Sequence, residues 1–129
     1  MPHDAPHRLI TCLCALFTAL GLTIAALGPA LPEFARVAGL EVSAVGLLYS
    51  ALFAGFLASQ VTASVLLDRR GTRVVILSSL VLFALGGFGL AVAPGLTTLL
   101  LASATLGVGY GFGTIAMNLV ASRLMTHRP

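Results

Sequence analysis

At 129 residues, with 58% apolar and only 9% charged side chains, the chain carries about a third of the charge that a soluble domain of its size displays. Its mean hydropathy of +1.05 excludes an ordinary water-soluble fold. The net charge of +3 comes from seven basic residues, all arginine and placed at the ends of apolar runs, which is a membrane-topology signal and argues against nucleic acid as a partner.

Residues 1–8 form a short polar N-terminus. His3 and His7 stand four apart in it, but no further ligand cluster accompanies them, so no metal or other cofactor is expected. The first apolar run, 9–31, contains no Asp, Glu or Arg and reaches the roughly 20 residues that a membrane helix requires. Cys12 and Cys14 lie two apart inside it. On a helix they point roughly 200° from each other and cannot pair, so they read as small apolar filler. Thr11, Cys14, Thr18, Gly21, Ala25 and Gly28 follow one another by steps of three and four and form a small or polar stripe on one face. Arg8 and the small residues of Gly28-Pro29-Ala30 resemble parts of a cleaved signal peptide. The run is longer than a signal core, however, and three more spans follow, so it is expected to stay as a span.

A link from Pro32 to Val42 carries Glu33, Arg36 and Glu41. The second span, 43–67, repeats the small-residue face with Ala51, Gly55, Ser59 and Ala63, four apart, and the neighbouring Gln60 is expected to face protein rather than lipid. Residues 68–73 are a tight charged loop, and 74–93 form the third span. Pro94-Gly95 is a breaker, and 96–124 form the fourth span, followed by a tail at 125–129. The fourth span carries Gly107, Gly109, Gly111 and Gly113. Spacing of two puts Gly107 and Gly111 on one face and Gly109 and Gly113 on nearly the opposite one, as suits a helix held between two neighbours. Ser103, Gly107, Gly111, Thr114 and Asn118 also share a face, which serves either close helix packing or the wall of a substrate cavity. The glycine string is not a nucleotide loop, because no strand precedes it.

The fold class expected is therefore an all-α membrane protein with four transmembrane helices, antiparallel in sequence order because the links are short. Arg8, Arg69, Arg70, Arg73, Arg123 and Arg128 fall on one side of the membrane and Arg36 alone on the other. That bias predicts an integral, multi-pass protein with both termini and the 68–73 loop in the cytoplasm, in what is most simply a bacterial inner membrane.

The loop concentrates chemistry. Asp68 stands at the C-terminal end of the second helix, where the helix dipole opposes a carboxylate. Arg69, Arg70 and Arg73, or the N-terminus of another helix, would compensate it. Gly71 permits the turn and Thr72 caps the next helix. Two readings stay open: a solvated hairpin that fixes orientation, and a latch that biases a two-state equilibrium.

The run Ser64-Val65-Leu66-Leu67-Asp68-Arg69-Arg70-Gly71-Thr72-Arg73 resembles motif A of the major facilitator superfamily, Gly-x-Leu-x-Asp-Arg-x-Gly-Arg-Arg/Lys. Leu66, Asp68, Arg69, Gly71 and Arg73 match in place; Ser64 stands where the family has glycine and Thr72 where it has a basic residue. Gln60 and the ending Leu27-Gly28-Pro29-Ala30-Leu31-Pro32 are also similar to the family, and the glycine-rich fourth helix followed by Asn118 resembles sugar-permease-like branches. The resemblance covers about Arg8 to Arg123 and implies the start of the N-terminal six-helix half of a carrier with about twelve spans. It implies that Asp68, Arg69, Gly71 and Arg73 act as a conformational latch against a helix of the C-terminal half. Ser103 occupies a place where proton-coupled antiporters of the family often carry arginine, which argues against antiport of that kind.

Expected function follows from this. The chain reads as a fragment of a secondary active transporter that moves a small solute by alternating access, with Thr18, Thr114 and Asn118 as cavity candidates and Gly55, Ser59, Gly107, Gly109, Gly111 and Gly113 as packing residues. Its expected partners are a small-molecule substrate, the lipid bilayer and the C-terminal helices of a full carrier. No carboxylate or arginine lies at mid-membrane depth in the spans, which suits an uncharged substrate or a charge supplied by the other half. An alternative is a non-transporting subunit or remnant that packs with a partner. A four-helix multidrug exporter is less suitable, since it needs a carboxylate in its first span and none lies between Leu9 and Leu31. No catalytic set of residues is present, so an enzyme is not expected.

Overall fold

The computed structural model describes residues 4–37, 39–41 and 43–126. These fold into α1 (Asp4–Val37), α2 (Ser43–Val92) and α3 (Leu96–Thr126), with no strand among the described residues. The N-terminus expected at 1–8 and the tail expected at 125–129 lie partly outside them. All three helices are long and apolar enough to cross a membrane.

α1 runs further than the sequence suggests. Pro29 and Pro32 sit inside it, and each removes one backbone donor, from the carbonyls of Ala25 and Gly28 respectively, without ending the helix. The helix stops instead at a glycine cap. The Gly39 N–H donates to the Arg36 carbonyl at 3.1 Å and the Leu40 N–H to the Ala35 carbonyl at 2.8 Å. Gly39 takes φ +68°, the left-handed conformation such a cap requires, and Leu40 packs onto the core beyond it. The link expected from Pro32 therefore begins after Val37. Glu33 and Arg36 stand one turn apart near that end, paired at 2.6 Å and exposed.

α2 has 50 residues, which at about 1.5 Å each would reach about 75 Å, far beyond the roughly 30 Å of a bilayer core. It is two arms, 43–70 and 72–92, broken at Gly71, where φ is 78° and ψ 169°. Only glycine visits that region readily, and a single residue suffices to turn the chain. The loop expected over 68–73 thus contracts to one non-helical residue, with Asp68, Arg69 and Arg70 still on the first arm.

Both arms lie on α3. Gly55 meets Ala104 and Ser59 meets Gly111 on the first arm; Gly89 meets Ala102 and Gly86 meets Leu106 on the second. The numbering rises together along α3 and the first arm and in opposition along α3 and the second, so the arms are antiparallel. Two apolar cores result. One joins Leu27 and Leu31 of α1 to Leu48, Leu52 and Leu90 of α2 and Leu99 and Leu106 of α3. The other lies toward the turn and joins Ala63, Val75, Phe112 and Ala116. α1 touches the bundle mainly through Leu27, Leu31 and Ala35, while Leu22, Phe53, Leu57, Val61, Leu85 and Phe88 are exposed around the outside, as lipid-facing side chains are.

Candidate functional site

The turn at Gly71 sets out the charged residues of the chain's middle. Asp68, Arg69, Arg70 and Arg73 are all exposed, and Thr72 begins the second arm half-buried. Among the described residues, no carboxylate lies within ion-pair range of these arginines; the ion pair present is Glu33–Arg36. Ser64, at the first motif position, donates its hydroxyl to the Gln60 carbonyl at 2.9 Å, so its polar group is absorbed by its own helix.

Above the turn, α3 is wedged between the two arms. A Cβ at Gly107 would collide with the Leu52 carbonyl, and one at Gly111 with the Ser59 hydroxyl; both face the first arm. A Cβ at Gly109 would come within 2.5 Å of the Phe83 nitrogen, and one at Gly113 within 2.7 Å of the Ser79 hydroxyl; both face the second arm. Gly55 abuts the Ala104 carbonyl from the other side of the first contact. Ser59 turns its hydroxyl to the Phe56 carbonyl at 2.5 Å, and Ser79 reaches across to donate to the Gly109 carbonyl at 2.7 Å. Phe56 and Tyr110 add a ring contact at 5.5 Å. Ser79, Gly86 and Gly89 escaped the sequence reading, although Ser79 and Gly86, seven apart in a run otherwise rich in Leu and Val, fall on one helix face.

The cavity candidates do not converge. Thr18 is exposed and donates to the Cys14 carbonyl at 2.8 Å; Thr114 is half-buried and donates to the Tyr110 carbonyl at 2.8 Å; Asn118 is exposed. Along the shared face of α3, burial fades from Ser103, Gly107 and Gly111 to Thr114 and then Asn118. The small stripe of α1 is likewise exposed at Cys14, Thr18, Gly21 and Ala25, because α1 is buried against the bundle only from Leu27 onward. A cavity of about 200 Å³ does separate α1 from the second arm and α3, but its walls are Leu16, Leu20, Thr23, Ile76, Phe83 and Met117 and their neighbours, and it is almost wholly apolar. Ser103 is fully buried and its hydroxyl has no hydrogen-bond partner.

The profile of the Major Facilitator Superfamily matches residues 11–128, nearly the full length. The chain belongs to that family. It is accordingly an integral, multi-pass membrane protein of a transporter family, with three helices of membrane-spanning length and composition. Among curated relatives, YwtG of Bacillus subtilis (strain 168), whose name assigns it to metabolite transport, is 34% identical over 86 residues. That match covers 67% of this chain and 19% of YwtG, so the chain spans about a fifth of the length of the relative it matches. No solved structure matches the chain.

Proposed function

We propose that the chain is the leading part of a secondary carrier that moves a small, uncharged solute by alternating access. The observation that carries this reading is the reversal at Gly71, which lays two antiparallel arms on α3 in a chain that matches the transporter family from residue 11 to 128. In this reading α1, the two arms and α3 make four crossings, and the termini and the Gly71 turn face the cytoplasm of a bacterial inner membrane. The arginine bias supports that orientation.

The outward stripe of α1 and the exposed lower end of the Ser103–Asn118 face support a solute pathway completed by helices of the C-terminal half. Thr18, Thr114 and Asn118 would line it. Asp68, Arg69, Gly71 and Arg73 would act as the latch, and the exposure of Asp68 leaves its carboxylate open to a helix end from that half. Gly55, Ser59 and the four α3 glycines would keep the arms and α3 moving as one rigid unit.

The test begins with the open reading frame beyond the codon for Pro129. A frame that continues for about eight further spans, and whose product takes up neutral sugars or other small metabolites in proteoliposomes, is the expected result. A stop after Pro129, with a stable complex that carries no solute, would replace the carrier by a non-transporting subunit.

A further inference from the structure

A second groove lies outside the first arm, beside the turn. Val61, Thr62, Val65, Leu66, Arg69 and Arg70 line it together with Phe112 of α3, around about 450 Å³. The six first-arm positions form one continuous face over three turns, since they advance by one and three residues alternately. At about 1.5 Å per residue the face is about 13 Å long, close to the ~15 Å depth of one leaflet's hydrocarbon. Its last turn presents two guanidiniums and its upper turns present hydrocarbon.

The polarity of the groove is confined to the end at the turn. Thr62 is its one hydroxyl side chain, and that hydroxyl is spent on the Ala58 and Ser59 carbonyls at 3.1 and 3.2 Å, leaving a methyl group to the groove. Val61 and Val65 are 71% and 48% exposed, so the apolar wall is uncovered. No carboxylate lines the groove, and among the described residues neither Arg69 nor Arg70 has an ionic or hydrogen-bonded partner. An occupant that matches must be anionic at the turn and apolar above it, over the depth of one leaflet.

We propose that this groove is a binding site for an anionic glycerophospholipid, with the phosphate on Arg69 and Arg70 and one acyl chain along Val61, Val65, Leu66 and Phe112. It rests on the reading that the Gly71 turn lies at a membrane surface. Guanidinium suits phosphate through paired donors, and juxtamembrane arginines favour anionic headgroups. Arg70 is the informative residue, because it falls at a variable position of the motif and the latch does not require it.

The test is native mass spectrometry of the purified 129-residue chain in neutral detergent, with equal amounts of phosphatidylglycerol and phosphatidylcholine. The wild type is expected to hold phosphatidylglycerol in preference by about five-fold or more. Arg70→Gln should lower that preference, and Arg69→Gln with Arg70→Gln should bring it to parity, while the double lysine variant retains it. Val61→Trp should reduce binding of the lipid by filling the chain's path. Equal binding of both lipids by the wild type would overturn the proposal, as would a preference that survives the double glutamine variant. A preference untouched by Val61→Trp would reduce the site to a surface charge patch, and a dimer broken by Val61→Trp would assign the groove to a second copy; either overturns it. The assay reads lipid on the chain and not solute movement, so selective binding without transport removes the carrier reading alone.

Discussion

The Ser79 hydroxyl donates to the Gly109 carbonyl across 2.7 Å of buried space, tying the second arm of α2 to α3. In an apolar interior such a bond has few substitutes, and measured interhelical bonds in membranes contribute about 0.6 kcal/mol on average, up to about 1.7. Ser79→Ala is expected to lower stability by that order. Unfolding in a graded mixture of mild detergent and SDS, followed by circular dichroism, checks it.

Glycines of α3 and α2 separate into two classes with opposite expected effects. Gly107 abuts the Leu52 carbonyl, which is backbone and cannot rotate away, so Gly107→Leu should force α3 off the first arm at a cost of about 3 kcal/mol or more. Gly87 has nothing within 4 Å of where its Cβ would lie, and Gly87→Ala should be neutral or stabilise by up to about 1 kcal/mol through helix propensity. The same unfolding measurement on both variants decides between close contact and mere small-residue composition.

Gly71→Ala should destabilise the hairpin by about 1–3 kcal/mol, since φ of 78° with ψ of 169° lies where side chains are strained. Asparagine is tolerated at left-handed turns but not in this region, so Gly71→Asn should do no better. Recovery of stability by Gly71→Asn would mean that the turn adopts an ordinary left-handed conformation in the membrane.

The proposed four-crossing arrangement would put Glu41, just before the first arm, and Arg70, at its end, on opposite sides of the membrane. In a background with Cys12→Ser and Cys14→Ser, Glu41→Cys should react with a membrane-impermeant maleimide from outside intact cells, and Arg70→Cys only after the cells are opened. Labelling of both from the same side would remove this topology.

A latch at Asp68 predicts a conformational effect separable from folding. In the complete carrier, Asp68→Asn should shift the balance between outward- and inward-open states, read by cysteine accessibility at each mouth, with unfolding in detergent unchanged. Unaltered accessibility and unaltered uptake would return Asp68 to the role of a solvated helix end.

Much of this protein is legible one residue at a time. Charge on 9% of residues and long apolar runs dictate membrane helices, because a bilayer leaves no other partner for backbone polar groups. Asp68, Arg69, Gly71 and Arg73 at motif spacing point to the family that the comparison over residues 11–128 establishes. Helix ends were less legible. Pro32 looks like a stop, yet α1 passes through it and ends where Gly39 and Leu40 can cap and cover the last carbonyls. A proline deletes one donor, whereas a cap requires a glycine and a core for the residue after it, and that core exists only once α2 is in place.

What the sequence determines by itself is therefore local and additive: the apolar length of each run, the glycines that allow close approach, and the charged turn that interrupts them. The tertiary structure alone decided which partner each surface meets. Gly107 and Gly111 meet the first arm, Gly109 and Gly113 the second, and Ser79 finds a carbonyl thirty positions away. It also decided that the polar stripe of α1 is exposed while Leu27 and Leu31 enter the core. The physical reason is that helix spacing assigns residues to faces, but the pairing of faces depends on the backbone reversal at Gly71 and on steric fit between surfaces distant in the chain.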